Sequence, residues 1–258
     1  LVHVKNITVK FPVRKNILGK AKQYYTAVDD VSFIIKKGET LGLVGESGCG
    51  KTTLGRTLLG IIPPVSGAIT FNERKITDLS SKELHRFRKD VQLVFQDPFS
   101  SLNPKLTIGE AIEEPMKVFN SSNMLQRKKA VAALLDKVSM PSSFATRYPH
   151  EFSGGQRQRV VIARALALDP DFLVCDESVS ALDVSVQAQV LNLLNDLKKE
   201  LGLTMLFISH DLSVVRYMCD RIIVMQGGRI VEEGDAEEVY NAPKIDYTKS
   251  LLAAIPKT

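Results

Sequence analysis

Two short strings in the second half of the chain carry side chains that could act on a phosphate ester. The first consists of Phe152, Ser153, Gly154, Gly155 and Gln156. Backbone N–H groups at a helix N-terminus bind phosphate oxygens, and glycines leave room for a phosphate to come close. The second is an apolar run from Phe172 that ends in Asp176 and Glu177. Adjacent carboxylates at a strand end can supply a ligand for Mg²⁺ and a base for water.

A third string has the spacing of a phosphate-binding loop, Gly-x-x-x-x-Gly-Lys-Thr, between a strand pattern and a helix pattern. With the threonine that follows, it comprises Gly45, Glu46, Ser47, Gly48, Cys49, Gly50, Lys51, Thr52 and Thr53. Its glycines let N–H groups turn inward, and the helix N-terminus adds positive charge. We expect Lys51 to bridge the β- and γ-phosphates, Thr52 to bind Mg²⁺ and Thr53 to bond the α-phosphate. Cys49 is interpreted as a small loop residue that is sensitive to alkylation.

Two phosphate cradles in one chain suggest two nucleotides. The P-loop holds the nucleotide of this chain, so the Ser-Gly-Gly loop is interpreted as serving a nucleotide held by a partner subunit. Asp176 would reach the metal through water, and Glu177 would polarise the attacking water as general base. An N-cap role alone would explain Ser153 but not the two glycines after it.

Strand and helix patterns alternate along most of the chain. Strands are predicted at 1–11, 27–35, 39–44, 68–71, 91–95, 172–175, 204–208 and 221–225, and helices at 51–59, 157–168 and 186–201. Such alternation indicates a largely parallel sheet packed between helices. From about 98 to 167 the pattern is mostly helical and is broken by several prolines, which predicts a helical subdomain inserted into the core.

Composition excludes several classes of protein. Hydrophobic residues at 44% and charged residues at 24% are those of a globular protein. The net charge of +5 could fit a nucleic-acid patch, but acids and bases are interspersed, so a solvated surface is the preferred reading and no nucleic-acid partner is predicted. The three cysteines lack paired spacing, which argues against a zinc site or disulfides. No apolar run approaches the roughly 20 residues of a membrane helix.

In this order and spacing, the three strings resemble the ATP-binding subunits of ABC transporters, over essentially the whole chain. The resemblance implies an α/β fold: a P-loop NTPase core with a mostly parallel sheet between helices, an antiparallel β subdomain and an inserted helical subdomain. It places the ATP-binding domain at 1–240, with the core at about 1–97 and 168–240, and a tail at 241–258. It also implies ATP and Mg²⁺ as ligands, and a head-to-tail dimer that holds two ATPs between P-loops and Ser-Gly-Gly loops.

The resemblance extends to further positions. Gln96 is similar to the loop glutamine that reaches Mg²⁺ and the attacking water, and Asp183 lies in a loop similar to one that crosses to the partner's site. His210 ends an apolar strand and resembles the histidine that contacts the γ-phosphate, although a lone histidine there could equally be structural. Phe11, Tyr24 and Tyr25 are candidates for the aromatic that stacks on adenine, and Tyr25 is preferred because it leads into the next strand.

Two longer strings, 95–104 and 247–256, resemble the ATPase subunits of bacterial and archaeal importers of oligopeptides, dipeptides and nickel. This branch implies a second, related ATPase, two transmembrane permease subunits and an extracytoplasmic solute-binding protein. It places the chain on the cytoplasmic face of the cell membrane as a peripheral subunit. Because no cysteine follows Cys219, we predict no iron–sulfur cluster of the kind that some relatives carry.

Three alternatives are weighed against this interpretation. A non-transport ABC ATPase acting on the ribosome or DNA would show tandem cassettes or long coiled coils, and neither pattern is present. A nucleotide-binding partner with an inactive site is disfavoured because Lys51, Glu177 and His210 are all present. A P-loop GTPase is disfavoured because the chain has no Asn-Lys-x-Asp string for reading guanine.

Overall fold

The computed structural model describes residues 1–15, 21–119 and 123–254. The chain divides into two compact units. The first unit comprises Leu1–His85 and Thr204–Thr258, and the second comprises Arg86–Leu203. The last residues of the predicted tail, 255–258, lie outside the described residues, as does part of the connection between Phe11 and Tyr24.

The secondary structure alternates between strands and helices. The strands are β1 (Val2–Lys15), β2 (Ala21–Ile35), β3 (Thr40–Val44), β4 (Ser66–Phe71), β5 (Arg74–Lys75), β6 (Val91–Val94), β7 (Phe172–Asp176), β8 (Thr204–Ile208), β9 (Arg221–Gln226) and β10 (Arg229–Asp235). The helices are α1 (Lys51–Leu58), α2 (Ser81–Asp90), α3 (Pro98–Ser101), α4 (Ile108–Val118), α5 (Met124–Lys137), α6 (Gly154–Leu166), α7 (Val184–Leu201), α8 (Leu212–Met218), α9 (Ala236–Asn241) and α10 (Asp246–Ala253). Short 3₁₀ turns lie at Ile76–Asp78, Ser142–Thr146 and Pro149–Glu151.

The first unit contains an antiparallel sheet with strand order β2-β1-β4-β5. Alternate apolar residues of β1 are buried, because successive side chains of a strand point to opposite faces. The alternation slips by one residue between Val4 and Ile7, where the pairing with β2 shifts and Asn6 adopts a φ of +50°. This bulge keeps both Val4 and Ile7 on the buried face.

The first unit also contains a second, mostly parallel arrangement of strands, in the order β10-β9-β3-β8, that leads to the P-loop. Strand β3 is parallel to both β8 and β9, and every residue of β3 and β8 is buried. Strands covered on both faces read as continuous apolar runs, which is the pattern these two segments show in sequence. The P-loop therefore starts from a strand that is fixed on both edges.

The second unit pairs β6 with β7 in parallel, and the described residues between 98 and 167 form helices with no strand. Helix α6 is its central helix, with Val160, Ile162 and Ala163 fully buried. Among the residues that the structure describes, no helix is both long and apolar enough to cross a membrane.

The predicted fold class is confirmed, including the mostly parallel sheet and the antiparallel one. Strand β10 was not predicted, because Glu232 and Glu233 interrupt its apolar pattern. Helix α6 begins at Gly154, three residues earlier than predicted, because Ser153 caps it. The two compact units divide after His85 and after Leu203, which are not the boundaries predicted for the helical subdomain. The boundaries at about 98 and 167 stay predictions.

Candidate functional site

The P-loop follows β3 through a narrow space in the first unit. A Cβ atom at Gly45 would lie 2.1 Å from the carbonyl oxygen of Met225, and one at Gly50 would lie 2.2 Å from that of Ala27. Both glycines also have positive φ angles, 151° and 107°, which side chains disfavour. Gly48 has a φ of +82° with open space around its Cβ position. The loop is therefore packed at its two ends and open at its apex.

Lys51 begins α1, and its side chain is folded into the loop. The residue is 4% exposed, and its Nζ donates hydrogen bonds to the carbonyl oxygens of Gly45 at 2.7 Å and Glu46 at 2.8 Å. A buried ammonium group requires such partners, because burial without hydrogen bonds is costly. Thr52 and Thr53, in the same first turn, are partly exposed. A glycine-lined apex with a fixed positive charge fits a phosphate group.

Cys49 differs from the expectation of a readily alkylated residue. It is buried, and its Sγ lies 3.8 Å from the Nζ of Lys51. Burial raises the pKa of the Cys49 thiol, and the nearby Lys51 charge only partly opposes this shift. Because the thiolate is the reactive form, the structure argues against easy alkylation.

Of the three candidate aromatics, Tyr25 has a contact with the P-loop. Its hydroxyl donates a hydrogen bond to the carbonyl oxygen of Gly48 at 3.4 Å. Phe11 pairs with Tyr25 across the β1–β2 hairpin, and Tyr24 lies next in sequence. All three rings are exposed, so each presents a face to solvent.

His210 follows β8 and is exposed. Strand β8 is parallel to β3, with Ile208 opposite Leu43, so His210 and the P-loop follow the carboxyl ends of neighbouring strands. Ser209 fixes the turn, since its N–H donates to the carbonyl of Leu43 and its Oγ accepts from the N–H of Asp211. Asp211 then caps α8.

In the second unit, Gln96 and Glu177 follow the paired strands β6 and β7. The Nε2 of Gln96 donates a hydrogen bond to the carboxylate of Glu177 at 3.1 Å. Asp176, at the end of β7, is buried. Glu177 has a φ of +49°, a strained conformation for a residue with a side chain. The N–H and hydroxyl of Ser180 donate to the Glu177 carbonyl and hold this turn.

The predicted N-cap role of Ser153 is confirmed. Its Oγ accepts from the N–H of Gln156, and the Gln156 side chain accepts from the N–H of Ser153, forming a capping box. The two glycines differ in their surroundings. A Cβ at Gly155 would lie 2.2 Å from Cγ1 of Val186, whereas one at Gly154 would meet only Leu182 at 3.6 Å. Gly155 is thus required by packing, and Gly154 leaves space at the helix N-terminus.

Asp183 caps α7, with its Oδ1 accepting from the N–H of Val186 at 3.0 Å and from the hydroxyl of Ser185 at 2.8 Å. These bonds, the one from Val186 first, hold the pKa of the Asp183 carboxyl below its ordinary value. The side chain is exposed at this position.

The candidate residues thus form two groups, one in each unit. The first unit carries the P-loop, Tyr25 and His210, and the second carries Gln96, Asp176, Glu177, Asp183 and the Ser153–Gln156 loop. One further contact was not predicted. Tyr247, which the sequence marked only as part of the tail, accepts a hydrogen bond from the N–H of Glu46 in the P-loop.

Comparisons with known proteins identify the family of this chain. The model of the ABC transporter family matches residues 28–180. The oligopeptide transport ATP-binding protein AppF of Bacillus subtilis is 49% identical, over 100% of this chain and 79% of AppF. The corresponding OppF of Haemophilus influenzae is 47% identical, over 99% of this chain and 78% of OppF. A dimeric structure of the ATP-binding cassette MJ0796, in a post-hydrolysis state bound to ADP and Pi, has a TM-score of 0.80 and 31% identity, over 92% of this chain and 99% of that chain.

The fold and the P-loop define a P-loop nucleotide-binding protein. Because the family model matches more than half of its length, the chain belongs to the ABC transporter family. Its nucleotide is ATP, and it is an ATPase. The ribosome or DNA alternative receives no support from these relatives.

We predict that Gly155→Ala and Gly154→Ala will differ in stability. The new methyl at Gly155 collides with Val186, so we expect a loss of about 1–3 kcal/mol in the free energy of unfolding. Gly154→Ala is the matched control, and should leave stability unchanged or raise it by up to about 1 kcal/mol, because alanine favours helix. Denaturant unfolding measures both, and equal stability of the two variants would contradict the packing role of Gly155.

Cys49 should be alkylated slowly by iodoacetamide at neutral pH, and faster as the pH rises. The pKa of the Cys49 thiol in the folded state lies above the unfolded value of 9.0, so the fold favours the neutral thiol. This preference stabilises the folded state fully below pH 9.0 and is lost as the pH rises through the folded-state pKa. Cys175, whose pKa burial raises to about 12, is the internal control and should react more slowly. Peptide mapping by mass spectrometry measures both rates. Labelling of Cys49 at pH 7 as fast as in urea would show that the thiol is accessible.

Proposed function

We propose that this chain is the ATP-hydrolysing subunit of an importer of peptides or a related small solute, such as nickel or a metal chelate. The observation that carries the proposal is the P-loop closed around Lys51, which supplies a fixed positive charge at an open, glycine-lined apex. The names of AppF and OppF support the peptide cargo.

In this proposal the P-loop residues from Gly45 to Thr53 bind the phosphates of ATP. Lys51 pairs with the β- and γ-phosphates, Thr53 bonds the α-phosphate, and Tyr25 stacks on the adenine. The hydrogen bond from Tyr25 to Gly48 supports the choice of this aromatic, because it holds the ring beside the loop apex. Stacking on an aromatic face suits any purine.

Magnesium would be held by Thr52, Gln96 and, through water, Asp176. Hydroxyl, amide and carboxylate oxygens are the ligands that Mg²⁺ prefers, and the ion usually keeps several waters. The position of Asp176, at the carboxyl end of β7, supports a role near the metal, because α/β proteins bind their ligands at the carboxyl ends of parallel strands. When bound, the ion neutralises charge on the transferred phosphoryl group.

Glu177 would act as general base toward the attacking water. Gln96 orients its carboxylate through the 3.1 Å hydrogen bond, and the positive φ of Glu177 fixes the direction in which the side chain leaves the strand. His210 would contact the γ-phosphate from the carboxyl end of β8. Backbone strain of the kind found at Glu177 is common at functional sites.

The Ser153–Gln156 loop, with Asp183, would act on the ATP of a second subunit in a head-to-tail dimer. The capped N-terminus of α6 and the space at Gly154 support phosphate binding there. The dimeric state of the MJ0796 cassette supports the presence of a second subunit. The partner in this proposal is a related but different ATPase subunit.

The remaining partners would be two transmembrane permeases and an extracytoplasmic solute-binding protein, with this chain bound peripherally at the cytoplasmic face of the membrane. Phe95 and Phe99 flank the Gln96 loop and are 43% and 62% exposed, which suits docking on another protein. The proposal also includes the predicted division of the chain, with a core at about 1–97 and 168–240, a helical subdomain at 98–167 and a tail at 241–258.

Glu177→Gln keeps the shape of the side chain but removes its basicity. We expect ATP turnover by the complex purified from membranes to fall at least about 100-fold, the usual contribution of a general base, while ATP-bound dimers accumulate. Phosphate release and gel filtration with ATP measure these effects. Glu200→Gln is the control, since it loses only an exposed ion pair with Lys137 and should retain turnover. Wild-type turnover by Glu177→Gln would remove Glu177 as the base.

A further inference from the structure

One peptide unit of the P-loop is held at both ends. The carbonyl of Gly45 accepts from the Nζ of Lys51 at 2.7 Å, and the N–H of the same peptide, that of Glu46, donates to the hydroxyl of Tyr247 at 3.0 Å. A peptide group is planar, so its carbonyl and N–H turn together. The hydroxyl of Tyr247 and the ammonium of Lys51 are therefore coupled through a single rigid group.

The chain just before Tyr247 is held in place by a buried carboxylate. The segment before α10 is fixed to β10, because Glu232, 8% exposed, accepts hydrogen bonds from the N–H of Lys244 at 2.7 Å and from that of Ile245 at 3.4 Å. Hydrogen bonds to a charged group are stronger than neutral ones. Thr248, next to Tyr247, is fully buried. The first turn of α10 is thus anchored to the first unit on both sides of the tyrosine.

The bond between Tyr247 and Glu46 joins residues 201 positions apart. The hydroxyl oxygen of Tyr247 accepts from the N–H of Glu46 through a lone pair, and burial raises the pKa of this hydroxyl above its ordinary value of 10.0. Tyr25 bonds the loop at Gly48, at another point. The loop is therefore supported by two tyrosines, one from each end of the chain.

We propose that Tyr247 is a positioning residue of the ATP site: its hydroxyl fixes the Gly45–Glu46 peptide, whose carbonyl holds the Lys51 ammonium in place for the phosphates. Without that bond the peptide is held only through its carbonyl, so keeping this carbonyl on the Lys51 ammonium costs more conformational entropy. ATP affinity then falls. This inference rests on the proposed role of Lys51 in ATP binding.

The coupling must also act in the opposite direction. If the docked α10 favours ATP, then ATP favours the docked α10 by the same factor, because linkage between two sites is reciprocal. The docking of α10 therefore depends on whether ATP occupies the P-loop, and a change in that docking alters the affinity for ATP.

The test is Tyr247→Phe, which removes the hydroxyl and keeps the ring. ATP binding to the isolated chain, measured by calorimetry, should weaken about three- to tenfold, the effect of one neutral hydrogen bond. Amide exchange followed by NMR should show faster exchange at Glu46, by a similar factor, with strand β3 unchanged. Tyr217→Phe, at an exposed tyrosine of the same unit, is the control and should change neither quantity.

The two readouts separate the possible failures. If wild-type protein does not bind ATP, the proposed function fails, and exchange at Glu46 still reports whether Tyr247 holds the peptide. Unchanged exchange at Glu46, or unchanged ATP affinity, in a Tyr247→Phe variant that melts like wild type would overturn the inference. A purely structural role would instead lower the melting temperature and leave the Glu46 amide no more affected than its neighbours.

Discussion

The buried ammonium of Lys51 is the constraint on which the candidate site depends. A charge at 4% exposure is tolerated only where dipoles surround it, and the carbonyls of Gly45 and Glu46 supply them. For these carbonyls to point inward, the loop must bend with positive φ at its glycines, against the backbones of Met225 and Ala27. The pairing of β3 with β9 and β8 therefore has to fix the position at which the P-loop begins.

Both units follow the same structural rule. In each, the chemistry-bearing residues follow the carboxyl ends of parallel strands, where α/β proteins bind their ligands. In the first unit these are the P-loop and His210, after β3 and β8. In the second they are Gln96 and Glu177, after β6 and β7, joined by a hydrogen bond. Parallel pairing thus turns residues distant in sequence into neighbours.

The sequence predicted those parts of the fold that depend on local pattern. Strand 204–208 and the helix after the P-loop matched closely, because apolar runs and a glycine-lysine spacing are local signals. Contacts between distant segments left no such signal. Two such contacts are seen only in the folded chain: the bond between Tyr247 and Glu46, and the packing that makes glycine necessary at position 155. The burial of the Cys49 thiol was missed because its neighbours in sequence do not show it.

The central claim is that the P-loop around Lys51 binds ATP. Calorimetric titration of ATP into the isolated chain tests it directly, with Lys51→Ala beside wild type and Lys37→Ala, an exposed lysine of the same unit, as control. Loss of hydrogen bonds from a charged group predicts at least about tenfold weaker binding for Lys51→Ala, with the control unchanged. Equal affinity of wild type and Lys51→Ala would contradict the account.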